Sequence, residues 1–146
     1  MMNTRAKGDL AEAAVLGAFA AADFIVSIPF SRFGPYDLAV ETPSGFVRVQ
    51  VKSGRLRGGC VEFNCVGTDH GNGVGSYLGR ADVFAVHVHA TGEQYVVPVS
   101  EAPGGKMYLR LLPAANNQIS RVRFARDYLL AGWVERQRVS TGPTAR

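Results

Sequence analysis

The hydrophobic positions along this chain follow a helical period at first and a period of two afterwards. From Thr4 to about Ala22 the sequence is dense in alanine, which costs least to wind, and Asn3 or Thr4 supplies an N-cap. Leu10, Ala14, Gly17, Ala18 and Ala21 form a stripe of small residues suited to close packing on a sheet, while Glu12 shares a different side with Leu16 and Phe19. Phe24 to Phe30 then reads as a strand, Ser31 to Pro35 as a turn, and residues 36–41 as a second strand. Thr42-Pro-Ser-Gly45 turns the chain into a third strand, Phe46 to Ser53. Val47, Val49 and Val51 take one face of that strand, and Phe46, Arg48, Gln50 and Lys52 the other. Leu38 and Val40 match the valine layer, whereas Asp37 and Ala39 face away. The hairpin thus buries an apolar layer and gathers Asp37, Gln50 and Lys52 at one open edge.

Further along, Cys60 to Cys65 forms a short strand after the glycine-rich link 54–59. Residues 66–80 hold Gly67, Gly71, Gly73, Gly75 and Gly79, which predicts a mobile loop. It is not a phosphate cradle, because no GxxxxGK[ST] or GxGxxG frame opens a helix there. Asp82 to Val88 and Tyr95 to Val99 pair across the Ala90-Thr-Gly-Glu turn, and Met107 to Leu112 adds a further strand. An irregular segment containing Ile119, Val122, Phe124 and Tyr128 leads into a short helix ending near Gly132. The expected organisation is one α/β domain over residues 1–138 with a frayed tail at 139–146.

Composition narrows the class. A chain of 146 residues has material for one core. Cys60 and Cys65 make neither a disulfide framework nor a zinc pattern, which assigns the chain to a reducing, cytoplasmic setting. The most apolar stretch, Leu10 to Ala22, is too short for a membrane span and is interrupted by Glu12, and no leader-like hydrophobic region opens the chain. The net charge of +4, from 16 basic and 12 acidic side chains, permits a polyanionic partner without requiring one. Basic residues cluster as Arg5 and Lys7, as Lys52, Arg55 and Arg57, and as Arg121, Arg123 and Arg126, although solvated faces also produce such runs.

The chemistry these residues support is phosphodiester hydrolysis, which needs charge neutralisation around phosphorus, a positioned water and protonation of the departing oxygen. Asp37 suits Mg²⁺, which prefers oxygen ligands and keeps several waters. Lys52 can stabilise the phosphate or orient the attacking water, but an ordinary lysine pKa of ~10.4 argues against a simple general base. Gln50 offers only a neutral amide oxygen, which lowers the negative charge of the set and makes Glu12 more important. Taken singly, Asp37 also fits a strand start beside a polar turn, Lys52 a guard of an exposed sheet edge, and Glu12 a solvent-facing charge. Asp69-His70 lacks a second histidine, and His87 and His89 share a strand face without a third ligand at suitable spacing. No GxSxG elbow is present.

Pro35-Tyr36-Asp37 and Gln50-Val51-Lys52, in that order after a helix bearing Lys7-Gly8-Asp9-Leu10-Ala11-Glu12, resemble the PD-(D/E)xK nuclease superfamily. The similarity continues through Tyr77, Asp82 to Val86 and Tyr95 to Pro98, and is strongest to compact members related to archaeal Holliday-junction resolvases and bacterial intron-encoded homing endonucleases. It implies a restriction-endonuclease-like core, a mixed central sheet flanked by helices. It also implies Mg²⁺, with Mn²⁺ able to substitute, at Asp37 with help from Gln50 and Glu12, and phosphate chemistry assisted by Lys52. Gln50 departs from the acidic residue of the general pattern, as in some homing-type relatives. A homodimer or homotetramer follows from the resemblance, since one small centre cuts one strand. The expected partner is duplex or branched DNA, bound at the nucleoid.

Lys7, Arg32, Ser53, Arg55 and Arg57 are the candidate DNA contacts, although Ser53 equally suits the strand's own hydrogen bonding. Tyr77 fits either an active-site wall or a loop anchor. Site-specific duplex cleavage is favoured over junction resolution. A catalytically weak DNA-binding relative and an RNA-binding or tRNA-processing protein are the competing classes.

Overall fold

The computed structural model describes residues 2–69, 73–112 and 122–139, leaving aside the side chains of 68, 69, 73–75 and 139. Helix α1 (Thr4–Ala21) starts where Asn3 Oδ1 accepts the Ala6 N–H at 2.8 Å. Its buried positions are Ala11, Val15 and Phe19, not the expected small-residue stripe: Leu10 is 47% exposed, and Gly17 and Ala21 face solvent. Valine and phenylalanine remove more apolar area from water than glycine and alanine do, so they take the sheet-facing positions. That rotation puts Glu12, next to Ala11, at the margin of the buried face.

Strand β1 (Ile25–Ser27) is shorter than the expected Phe24–Phe30, and Pro29, which has no N–H to donate, follows closely. It pairs antiparallel with β2 (Leu38–Thr42), which pairs antiparallel with β3 (Gly45–Arg57) through Leu38↔Val49 and Val40↔Val47. After β4 (Cys60–Asn64) come β5 (Val66–Asp69) and β6 (Gly73–Ser76), an antiparallel hairpin where a mobile loop was expected. One of its glycines serves close packing: a Cβ at Gly67 would stand 2.6 Å from the Tyr77 hydroxyl. His70, and with it the Asp69-His70 pair as a site, lies outside the described residues.

Strand β7 (Val83–Val88) runs parallel to β3 and antiparallel to β8 (Gln94–Pro98), which makes the sheet mixed. Its alternation feeds two cores. Val83 and Ala85 join Leu38, Val40, Val49 and Val51 beneath α1 and α2 (Leu130–Val139), while Phe84, Val86 and Val88 pack with Val61, Phe63, Met107 and Leu109. The second set comes largely from β4 and β9 (Lys106–Arg110), which pair with each other and, through β4, with the far end of β3.

The late helix begins where the sequence pattern places its end. Gly132 lies in its first turn, at a cost of ~1 kcal/mol relative to alanine. Trp133 and Val134 outweigh that cost by burial, with the Trp133 ring 5.5 Å from Phe19 and 5.9 Å from Phe24. Ile119, Arg121 and residues 140–146 of the expected tail lie outside the described residues. Cys60 and Cys65 are buried free thiols. Among the described residues, no helix is long and apolar enough to cross a membrane.

Gly54 is where β3 passes from β7 to β4. A Cβ there would meet Val86 Cγ1 at 2.8 Å, Val61 Cγ1 at 3.0 Å and Val88 Cγ2 at 3.2 Å. These are stiff side chains from β7 and β4, so the backbone must move to admit a methyl. Gly54→Ala is expected to destabilise the fold by about 1–3 kcal/mol, read as a lower urea midpoint. An unchanged midpoint would show that β3 moves away from Val61, Val86 and Val88 without cost.

Candidate active site

The candidate residues meet where β3 changes neighbours. Its pairing with β2 ends at Val49 and its pairing with β4 begins at Arg55, so residues 50–54 are paired only with β7. Gln50 and Lys52 lie in this gap, on the face shared by their parallel partners Phe84 and Val86. Pro35, just upstream, cannot donate to a ladder, and β2 gives way to the segment bearing Asp37. The Asp37 N–H still donates to the Val49 carbonyl at 2.8 Å, and Asp37 Oδ2 accepts the Val51 N–H at 2.9 Å. A side-chain carboxylate thus replaces the strand that would have satisfied Val51.

Asp37 and Lys52 are both largely withdrawn from water, with opposite effects. Burial is the main reason the Asp37 carboxyl titrates above its ordinary value, against the lowering effects of the Val51 N–H, Lys52 and Arg32. Burial likewise brings the Lys52 ammonium below its ordinary value, and the Asp37 charge opposes that shift. Lys52 Nζ sits 4.7 Å from the Tyr77 ring centroid, 5.9 Å from that of Phe84, and 3.4 Å from the Tyr77 hydroxyl. Burial, then the Asp37 charge, raises the Tyr77 hydroxyl in turn. Tyr77 is therefore a wall of the site, and Phe84, which the sequence pattern placed only in the core, is its floor.

Glu12 reaches the same neighbourhood from α1. Its carboxyl is raised by burial and then by the negative charge of Asp37, while Arg32 lowers it. Arg32 Nη2 lies 3.1 Å from Glu12 Oε1, so this expected phosphate contact is in fact paired with an acidic member of the site. Gln50 donates a long 3.4 Å bond from Nε2 to the Val51 carbonyl.

The remaining candidate contacts are dispersed. Lys7 is exposed on α1. Ser53 Oγ is 3.1 Å from His89 Nε2. Arg55 Nε lies 2.9 Å from the buried Glu62 carboxylate, and Arg57 is exposed at the end of β3. His87 is bonded to Gln94 Nε2 at 2.9 Å, and its ring stands edge-on to His89 at 4.7 Å. Arg48 chelates Asp82, with Nε to Oδ2 at 3.1 Å and Nη2 to Oδ1 at 3.0 Å. Arg123 faces Glu101 at 3.6 Å. These arginines are fixed by carboxylates.

The donor set fits a hard divalent cation. The Asp37 and Glu12 carboxylates, with the charge of Asp37 raising Glu12, and the amide oxygen of Gln50 are oxygen donors of the kind a hard cation takes. Among the described residues no three His, Cys, Asp or Glu side chains converge in metal-holding geometry. Such a small charge set leaves room for the waters that Mg²⁺ retains.

A mixed sheet flanked by helices, with an aspartate before one strand and a lysine on the next, defines a restriction-endonuclease-like nuclease architecture. A family model for PD-(D/E)XK endonucleases matches residues 2–131, and the chain belongs to that family. Among solved structures it is similar to the bacterial homing endonuclease I-Ssp6803I, at a TM-score of 0.68 and 22% identity over 97% of this chain and 98% of that one. At that identity the likeness is one of fold. No curated protein sequence matches the chain.

Because the folded-state pKa of Asp37 lies above its unfolded value, its ionised form is a cost to folding above that folded pKa. Asp37→Asn keeps an oxygen for the Val51 N–H and removes the charge, so it should raise the melting temperature at pH 7. The gain should shrink as pH falls through the window between the raised pKa and 3.8, and vanish below it. Thermal melts of both proteins between pH 3 and 7 check this; a lower melting temperature for the variant at pH 7 contradicts it.

Proposed function

We propose that this protein is a divalent-metal-dependent DNA endonuclease, with Mg²⁺ as its usual ion and Mn²⁺ able to replace it. The observation that carries the proposal is the electrostatic interaction of Asp37 with both Lys52 and Glu12 beside the stretch of β3 that pairs only with β7, in a chain of this family. Asp37 and Glu12, with the Gln50 amide oxygen, would hold the ion, which supplies Lewis-acid polarisation of the phosphate and a more acidic bound water. Lys52 places its ammonium on the non-bridging phosphate oxygens, where negative charge grows as the water oxygen bonds to phosphorus and the bond to the departing sugar oxygen breaks. The aromatic rings of Tyr77 and Phe84 hold that ammonium in place and keep its surroundings dry, which strengthens its field. Gln50 in place of a carboxylate reduces the negative charge opposite an anionic substrate.

Site-specific cleavage of duplex DNA is the finer reading we favour. It rests on the glutamine in the metal-binding motif and on the likeness to a structure described as a bacterial homing endonuclease. A homodimer or homotetramer would bring a second centre to the opposite strand. Lys7, Arg57 and the exposed guanidinium of Arg55 are candidates for backbone phosphates. Junction resolution differs from this reading in preferring four-way DNA regardless of base sequence.

Incubation of a randomised duplex library and of an immobile four-way junction with Mg²⁺ tests both levels. The expected result is enrichment of one cut duplex sequence, abolished by EDTA and by Asp37→Ala with DNA binding retained. Lys52→Ala should lower cleavage by roughly 10²–10³-fold. Mg²⁺ should also raise the melting temperature of the wild type more than that of Asp37→Asn. Symmetric junction nicking would replace the homing-type reading, and absence of metal-dependent cutting on either substrate would leave a DNA-binding relative.

A further inference from the structure

The segment joining β1 to β2 carries the most exposed apolar side chains among the described residues. Phe30 is 101% and Phe33 97% exposed, so both rings stand clear of the body with their faces in water. Burying such rings is worth far more than leaving them out, and bare phenylalanines in this number mark a surface with an occupant. The segment is anchored at the site: Arg32, between the two rings, is paired with Glu12 at 3.1 Å. Pro29 and Pro35 bracket it, each with a fixed φ, which restricts the shapes it can take.

We infer that Phe30 and Phe33 form an aromatic wedge that stacks between bases next to the scissile phosphate that Lys52 would hold. The inference rests on the nuclease reading and adds a mode of substrate engagement to it. Three features favour DNA over a second copy of this chain as the occupant. Arg32, between the two phenylalanines in sequence, stays 61% exposed while paired with Glu12, which leaves part of its guanidinium open to a polyanion. The Arg32–Glu12 pair lies close enough to Asp37 for the Arg32 charge to act on it, so the segment adjoins the candidate site, and a subunit seated there would compete with substrate. Reach also agrees: at ~3.8 Å per residue, both rings start within about 8 Å of Arg32, the span of two to three base steps. An aromatic face stacks on any base, so the wedge contributes affinity and local distortion, and its sequence preference follows the ease of unstacking a given step.

Intercalation unwinds DNA, which gives a readout that simple backbone contact does not move. Closed circular plasmid is relaxed with a metal-independent topoisomerase in EDTA, so that no cleavage occurs, in the presence of saturating wild-type protein, Phe30→Ala/Phe33→Ala, or Phe30→Tyr/Phe33→Tyr. Binding to a linear fragment of the same plasmid is measured in parallel, with sedimentation velocity of each protein alone. The wild type and the tyrosine variant should leave a linking-number deficit. The alanine variant should leave none at saturation, with an unchanged melting temperature and about 10-fold weaker binding. Equal deficits, or none, from all three bound proteins would overturn the wedge while leaving DNA binding intact. Failure of the wild type to bind duplex at all would remove the nuclease reading and the wedge with it. A wild-type oligomer that the alanine variant reduces to monomers would assign the rings to a subunit contact and overturn the wedge.

Discussion

A single main-chain donor organises this molecule. The Val51 N–H has lost its strand partner because β2 has given way, and the Asp37 carboxylate accepts from it at 2.9 Å. That bond orders the acidic group at the one stretch of β3 that no antiparallel neighbour covers. It also partly offsets the burial that would otherwise drive Asp37 neutral. Lys52, one residue further along β3, is held by the same strand and opposed by the same desolvation. The site is a local defect of the sheet that both cores hold open. It retains charge that folding alone would discard, as expected where function competes with stability.

Much of the fold was legible because it follows period and parity. The Asn3 cap, the valine face of β3 and the opposite projection of Asp37, Gln50 and Lys52 all come from side-chain alternation and short-range chemistry. What the sequence concealed depends on partners distant in the chain. Glycines at 67, 73 and 75 argue for mobility when taken alone, yet they lie in a hairpin, and Gly67 makes room for the Tyr77 ring. Gly132 looks like a helix stop until Trp133 is seen to pack against Phe19. The stripe on α1 was misjudged because helical spacing fixes which residues share a side, and burial energy then decides which side faces inward.

The same distinction holds in the site. Residue types and order pointed to Asp37, Gln50, Lys52 and Glu12, whereas their environment did not show until β3 and β7 were aligned. The register Gln50↔Phe84 puts an aromatic floor under Lys52, and no local pattern in Asp82 to Val88 announces that. Charge clusters carry less information. Arg55 and Arg123, from two of the basic clusters, sit beside carboxylates, as do Arg32 and Arg48, so a run of cations along the chain does not tell which of them face a ligand.

The pairing of Arg48 with Asp82 acts as a zero mark for the parallel strands. Because β7 alternates between two apolar cores, sliding it by one position against β3 would exchange the contents of those cores and carry the aromatic floor away from Lys52. A forked guanidinium chelating one carboxylate, reinforced by the Arg48 N–H donating to Asp82 Oδ2 at 2.7 Å and the Asp82 N–H donating to the Arg48 carbonyl at 2.9 Å, opposes such a slip. The alignment on which the chemistry depends is therefore set outside the site, at the mouth of the strand pair, where substitutions within the site leave it undisturbed.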